Sequence, residues 1–232
     1  MTDYHLPIPF LEDTDDITPF PPVHMAKSSP NGLLMAGSNL KPERLISAYR
    51  QGIFPWYSEG EPVLWWAPDP RCIILPDELK VRRSLRKVIK KQQFQISYSK
   101  AFRKVIEACS EIREKSEGTW ITTDMTNAYC ELAKHGHAES IEVWQDDELV
   151  GGLYGVIVGR IFVGESMFSK RNDASKIALV ALAGSGRFDM IDCQLPTEHL
   201  MSMGAICITR DDYMKALDVL SQLPADSNYK LS

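Results

Sequence analysis

The sequence predicts a mixed α/β or α+β fold, and three observations carry that expectation. Apolar residues switch repeatedly between a period of two and one near 3.6. Residues 140–167 read as three strands joined by two tight turns. After them, helix and strand alternate to the end of the chain.

Taken in order, residues 1–30 hold six prolines and few apolar clusters, and read as an extended arm. Pro42 at a first helical position, Leu45, Ile46 and Tyr49 on one face, and Gly52 past the end define a helix over 41–51. Residues 52–70 follow no period. There Phe54, Trp56, Tyr57, Trp65 and Trp66 stand in prolyl sequence and cannot share one buried helix face, so some should line a crevice or join two domains. A strand over 71–75 precedes a helix over 79–91 whose stripe of Val81, Leu85, Val88 and Ile89 opposes a basic face. A strand over 93–98, an amphipathic helix through Phe102, Val105, Ile106, Cys109 and Ile112, and a helix from a Thr123 cap to Gly136 come next. Strands over 140–144, 149–158 and 161–167 turn at Asp146-Asp147 and Gly159-Arg160, and are therefore antiparallel. The last third reads as a helix over 173–182, a strand over 188–194, a short helix around His199, a strand over 205–208 and a helix opened by Asp211.

The 232 residues carry a formal net charge of −5 and contain no run of eighteen apolar residues, which excludes a membrane-spanning helix. The first thirty residues have neither a basic nor an apolar leader region, so a cytoplasmic protein is expected. Five cysteines without a C-x-x-C spacing argue against a disulfide framework and a structural zinc site, and read as reduced core residues. Charge is unevenly spread. Residues 80–104 hold ten Lys/Arg and no Asp or Glu, leaving −15 for the rest of the chain. A polyanionic partner or a solvated helix face would each account for that segment.

His135-Gly136-His137 sits at a helix end that favours histidine, and no third metal ligand lies at a usual spacing. Ser166 lacks the second glycine of a G-x-S-x-G elbow, and neither a G-x-G-x-x-G nor a G-x-x-x-x-G-K-[ST] loop occurs. Two sites remain. Glu165 lies among Phe162, Val163, Met167 and Phe168, where a carboxylate needs a function or a partner such as a buried Arg or Lys. Asp192 and Gln194 lie near the end of a strand, where α/β sites are built, although Asp192 could equally cap a neighbouring loop.

Six phrases in order resemble the leucyl/phenylalanyl-tRNA–protein transferases, which move Leu or Phe from an aminoacyl-tRNA onto an N-terminal Lys or Arg. They are Asn31-Gly32-Leu33-Leu34, Tyr49-Arg50-Gln51-Gly52-Ile53-Phe54-Pro55-Trp56, Leu64-Trp65-Trp66 with Pro68-Asp69-Pro70-Arg71, Gly118-Thr119-Trp120-Ile121, Gly164-Glu165-Ser166-Met167-Phe168-Ser169 and Ile191-Asp192-Cys193-Gln194. The resemblance implies a small N-terminal domain within residues 1–70 and a GNAT-like, acetyltransferase-type domain over 71–232, with no metal and no organic cofactor. It implies that Trp56, Trp120 and Tyr129 surround the donor's terminal adenosine. Leu153, Met167, Leu179, Leu182 and Ile191 would line a pocket for the Leu or Phe side chain, with Ser169 at its edge and Met as a further candidate donor. Arg83, Lys87 and Lys90, spaced to share one helix face, would meet the phosphates of Leu-tRNA and Phe-tRNA. In ester aminolysis Asp192 would accept or orient the attacking amine's proton, Gln194 would hold the amine or the tetrahedral oxygen, and Glu165 would orient the acceptor or the aminoacyl amine by charge. The acceptor would be a protein with N-terminal Lys or Arg, marked thereby for N-degron degradation, and the enzyme a monomer.

The chain departs from the family's usual wording at Ser38-Asn39, at Glu139 and in a shortened linker, Gly184-Ser185-Gly186-Arg187. Two other functions compete. A coenzyme A-dependent N-acetyltransferase of the same fold is opposed by the absence of glycine from residues 170–175, where a pyrophosphate loop would stand. A non-catalytic tRNA-binding protein would leave Glu165, Asp192 and Gln194 without a common purpose.

Overall fold

The computed structural model describes residues 8–14, 18–114 and 120–225, and two sheets organise them. The first sheet contains β1 (Phe10–Leu11), β2 (Leu33–Gly37), β3 (Phe54–Pro55) and β4 (Leu64–Trp66) in the order β1-β2-β4-β3. Three of these strands come from the stretches expected as arm and aperiodic loop. They are two or three residues long, too short to show a period, and distant partners rather than local patterning make the pairing. Gly37, at a φ of +83°, lets β1 approach: a Cβ there would lie 1.8 Å from the Leu11 carbonyl oxygen. Between β2 and β3, α1 (Pro42–Tyr49) buries Leu45, Ala48 and Tyr49.

The second sheet contains β5 (Arg71–Ile74), β6 (Gln95–Tyr98), β7 (Ala138–Gln145), β8 (Glu148–Val158), β9 (Ile161–Ser169), β10 (Met190–Gln194) and β11 (Ile206–Ile208), ordered β11-β5-β10-β9-β8-β7-β6. Strands β7 to β9 form the antiparallel run expected from the tight turns, and β6 adds to it antiparallel to β7. The chain then crosses over, so that β10 runs parallel to β9 and antiparallel to β5. The result is the predicted α+β architecture with a small N-terminal part and a C-terminal mixed sheet. Around it stand α2 (Arg83–Lys90), α3 (Phe102–Glu114), α4 (Thr123–Lys134), α5 (Ala174–Ala183), α6 (Glu198–Ser202) and α7 (Arg210–Leu220).

Three boundaries differ from the sequence expectation. Helix α2 starts at Arg83 rather than near Leu79, because the Lys80 N–H donates to the Met203 carbonyl at 2.8 Å and holds the chain extended. Thr122, not Thr123, caps α4, its Oγ1 accepting from the Met125 N–H at 3.1 Å. Thr209 caps α7 in the same way through Asp212 N–H, so that helix opens at Arg210.

One continuous core joins the two sheets: Trp65 of β4 and Tyr49 of α1 pack in the same cluster as Tyr129, Tyr154 and Tyr213. The opposite face of the second sheet is covered by α5 and by Leu85 of α2. Helix α5 sits very close to β8, where a Cβ on Gly151 would lie 2.4 Å from the Ala174 Cβ. The parallel pairing of β9 with β10 runs from Ile161–Met190 to Val163–Asp192 and stops. Beyond it the strands part, and a crevice opens at their carboxyl ends, the usual position for a ligand in such a sheet.

Candidate active site

A cavity of about 370 Å³ occupies that crevice. Phe54, Pro55 and Trp56 of the first sheet, with Arg113 and Trp120, form part of the wall, and Leu179 and Leu182 of α5 with His199 and Leu200 of α6 another. Leu153, Phe162, Met167 and Ile191 add apolar surface from the second sheet, while Glu165, Ser166 and Gln194 supply polar groups. Trp56 is 40% exposed and its ring packs at a tilt on Trp66, with centroids 5.6 Å apart. Trp120 lies under the Arg113 guanidinium, 5.6 Å from its ring centroid, and Arg113 Nε also donates to Ser166 Oγ at 3.1 Å.

Glu165 is buried on β9 and its partners are hydroxyls and an amide rather than a cation. Tyr49 donates to Oε1 at 2.8 Å, Tyr129 donates to Oε2 at 3.0 Å, and Gln194 Nε2 donates to Oε1 at 3.3 Å. The two tyrosine hydroxyls also touch each other. Burial, together with the neighbouring Glu165 charge, raises both phenols well above their ordinary pKa, so they remain donors. Burial pushes the Glu165 carboxyl up to about 7 against the pull of those hydroxyls, placing its proton exchange near neutrality.

Asp192 is fully buried and engaged on both oxygens. Arg71 Nε donates to Oδ1 at 2.9 Å and Arg71 Nη2 to Oδ2 at 2.7 Å, a bidentate pair. Tyr213 donates to Oδ2 and the Gln194 backbone N–H to Oδ1, at 2.8 and 2.9 Å. Four donors fill the four lone-pair positions of a carboxylate. Asp192 therefore reaches the cavity through Gln194. That residue follows a β-bulge and holds a φ of +55°, a strained conformation for a non-glycine residue, so the Asp192 bond to its N–H fixes where its amide points.

Of the residues singled out from sequence, Glu165, Gln194, Trp56, Trp120, Leu153, Met167, Leu179, Leu182 and Ile191 meet around one cavity. Asp192, expected to meet the amine, stands behind Gln194, and two more expected there do not line the cavity. The Tyr129 ring is wholly buried edge-on between Tyr49 and Tyr154, and its hydroxyl donates to Glu165. Ser169 is exposed, its Oγ donating to the Arg171 carbonyl and accepting from Ser175 N–H at the start of α5. Arg83, Lys87 and Lys90 are exposed on α2, away from the cavity lining. Helix α6 links the two regions, since His199 and Leu200 line the cavity while Ser202 lies beside Arg82 and Ser84. Sequence reasoning missed Arg71 and Tyr213 as the clamp on Asp192 and placed Tyr49 only on a helix face; the motifs contained Arg71 and Tyr49 without indicating their partners. Gly118 and Thr119 lie outside the described residues. Among the described residues no group of three His, Cys, Asp or Glu could hold a metal ion, and no helix is long and apolar enough to cross a membrane.

Comparison with known proteins gives two adjoining family matches. Residues 38–69 match the leucyl/phenylalanyl-tRNA protein transferase N-terminal domain, and residues 73–218 match the leucyl/phenylalanyl-tRNA protein transferase domain. A leucyl/phenylalanyl-tRNA–protein transferase of Nitrosomonas europaea is 54% identical over 213 residues, covering 90% of each chain. One of Pseudomonas putida is 52% identical over 207 residues, 88% of this chain and 92% of that protein. Among solved structures, a GCN5-related N-acetyltransferase from Kribbella flavida matches with a TM-score of 0.34 at 8% identity, over 68% of this chain and 57% of that one.

Proposed function

Since the chain belongs to the leucyl/phenylalanyl-tRNA–protein transferase family and is an aminoacyltransferase from tRNA to protein, we propose that it moves Leu or Phe, with Met as a further donor, to N-terminal Lys or Arg. The observation that carries this reading is the cavity itself: an exposed tryptophan and an apolar floor are joined across a polar strip of Glu165 and Gln194. Trp56 and Trp120 stack on the donor's terminal adenosine. The aminoacyl side chain enters among Leu153, Met167, Leu179, Leu182 and Ile191. A pocket of this kind selects by size and apolarity and accepts more than one such side chain.

The acceptor's α-amine attacks the ester carbonyl, a carbon–nitrogen bond forms, and the ribose hydroxyl of the terminal adenosine leaves. An α-amine has a pKa near ~8, so a usable fraction is free at neutral pH. Gln194 holds the amine or the developing oxygen, because one amide N–H points to Glu165 and the other amide groups remain for substrate. Asp192, clamped by Arg71 and Tyr213, sets the position of Gln194 rather than meeting the amine. Glu165, poised near neutrality, orients the amine and takes its proton. Positioning supplies much of the remaining rate. Arg83, Lys87 and Lys90 carry the tRNA through phosphate contacts. We further infer a cytoplasmic monomer that marks acceptors for N-degron degradation, supported by the family and its tRNA donors.

The test is transfer of labelled Leu and Phe from their tRNAs to peptides beginning with Arg, Lys or Ala. Transfer to the Arg and Lys peptides and not to the Ala peptide is expected; no transfer to the first two rejects the proposal.

A further inference from the structure

Three of the five cysteines stand side by side although the sequence separates them: Cys207 on β11, Cys72 on β5 and Cys193 on β10. Cys207 and Cys72 are direct antiparallel partners, so their side chains share one face of the sheet. Opposed Cβ atoms in such a pair lie ~4.5–5.5 Å apart. On its other side Cys72 pairs with Gln194, and its side chain packs in the cluster that Cys193 flanks. Access is graded across the three free thiols: Cys207 is exposed, Cys193 is half-buried at the cavity wall, and Cys72 is fully buried.

We propose that Cys72 and Cys207 form a peroxide-sensitive modification site, in which a disulfide across β5 and β11 lowers aminoacyl transfer. The exposed Cys207, as its thiolate, attacks one oxygen of hydrogen peroxide; the O–O bond breaks, hydroxide leaves, and the sulfur becomes a sulfenic acid. The Cys72 thiolate attacks that sulfur, the S–O bond breaks, and a second hydroxide leaves as the disulfide forms. The two thiol protons convert both hydroxides to water, and the peroxide takes the two electrons. Hydrogen bonding with Cys193, and then with Cys207, holds the Cys72 thiol below its ordinary pKa, which suits it to the second step. Desolvation and the neighbouring Cys72 raise Cys207 above its ordinary pKa, so its thiolate is the minor form at neutral pH.

Closing the bridge draws the two Cβ atoms to ~3.8 Å, so β11 and β5 must shift toward each other. That shift acts on the site from two directions. Arg71, adjacent to Cys72, clamps Asp192, and Gln194 lies opposite Cys72 with a strained backbone that tolerates little movement. The loss of activity rests on the transferase reading above; formation of the bridge does not.

The reduced full-length protein is treated with hydrogen peroxide, quenched and read in two ways. Peptide mapping seeks a linked Cys72–Cys207 pair with the loss of two hydrogens, and transfer of Leu to an Arg peptide is measured before and after dithiothreitol. The wild type should give the linked peptide and lose roughly fivefold or more in transfer, as displaced catalytic groups do, with recovery on reduction. Cys207→Ser, at an exposed position outside the cavity, should give no linked peptide and keep its activity through the treatment. Absence of the linked peptide, a Cys72–Cys193 link in its place, or equal loss in both proteins overturns the proposal. A wild type that never transfers Leu rejects the transferase reading instead, and the mapped peptide still decides the bridge.

Discussion

Glu165 and Asp192 are two buried carboxylates with opposite surroundings. Hydroxyls and an amide hold Glu165, whose carboxyl burial pushes up to about 7, whereas a guanidinium grips both oxygens of Asp192. A raised carboxyl pKa means that folding favours the protonated form. Its contribution to stability is present below the unfolded carboxyl's ~4.3 and gone above about 7. Glu165→Gln, which cannot ionise, should thus match the wild type in urea unfolding at pH 4 and exceed it at pH 8, by at most about 4 kcal/mol. In the transfer assay it should lose the rise in rate through neutral pH; a wild-type pH profile in this variant would remove Glu165 from proton handling. Arg71→Met makes the complementary case, because it leaves Asp192 buried without its cation. Unfolding free energy should fall by about 3–5 kcal/mol, measured in urea at pH 7.

At the scale of elements, legibility followed the range of the interactions that build them. The antiparallel run β7 to β9 could be read because its turns are local, at Asp146-Asp147 and Gly159-Arg160. The first sheet could not, since β1, β3 and β4 are short, lie in prolyl sequence, and are held by hydrogen bonds such as that from Trp65 Nε1 to the Gly37 carbonyl, 28 residues away. The same limit governed the site. Glu165, Gln194, Trp56 and Trp120 carry motif signals, but Tyr49 lies 116 residues from Glu165 and Arg71 lies 121 residues from Asp192, and no periodicity links them. The two departures at Glu139 and the 184–187 linker turn out to meet: Arg187 Nη1 donates to both Glu139 oxygens, at 2.8 and 2.6 Å, and ties that linker to β7. Helix α5, which this linker follows, is seated by Gly151, and Gly151→Ala tests the seating. The added methyl would meet the Ala174 Cβ at 2.4 Å, so thermal unfolding should report a loss of about 1–3 kcal/mol. As α5 carries Leu179 and Leu182, the ratio of Phe to Leu transfer should change as well.

Over the whole molecule, charge is unevenly divided. Helix α2 buries Leu85 and exposes Arg83, Lys87 and Lys90, so its basic face has no role in the core and is open to solvent. Its neighbour α6 runs from beside Arg82 and Ser84 to the cavity wall at His199 and Leu200, so a tRNA held on α2 as proposed would have a short path to the cavity. The remainder of the chain sums to −15, so this basic segment is where the sequence concentrates its positive charge. Binding of Leu-tRNA and Phe-tRNA, measured against salt concentration, should therefore show a steep loss of affinity. Changing Arg83, Lys87 and Lys90 to Gln should weaken both donors alike. Each phosphate contact removed should flatten the dependence of log affinity on log salt by roughly 0.7–0.9. Stability should be unaffected, because these side chains are exposed. A variant that weakened one tRNA and spared the other would mean that α2 reads sequence, and the division of labour between helix and cavity would have to be redrawn.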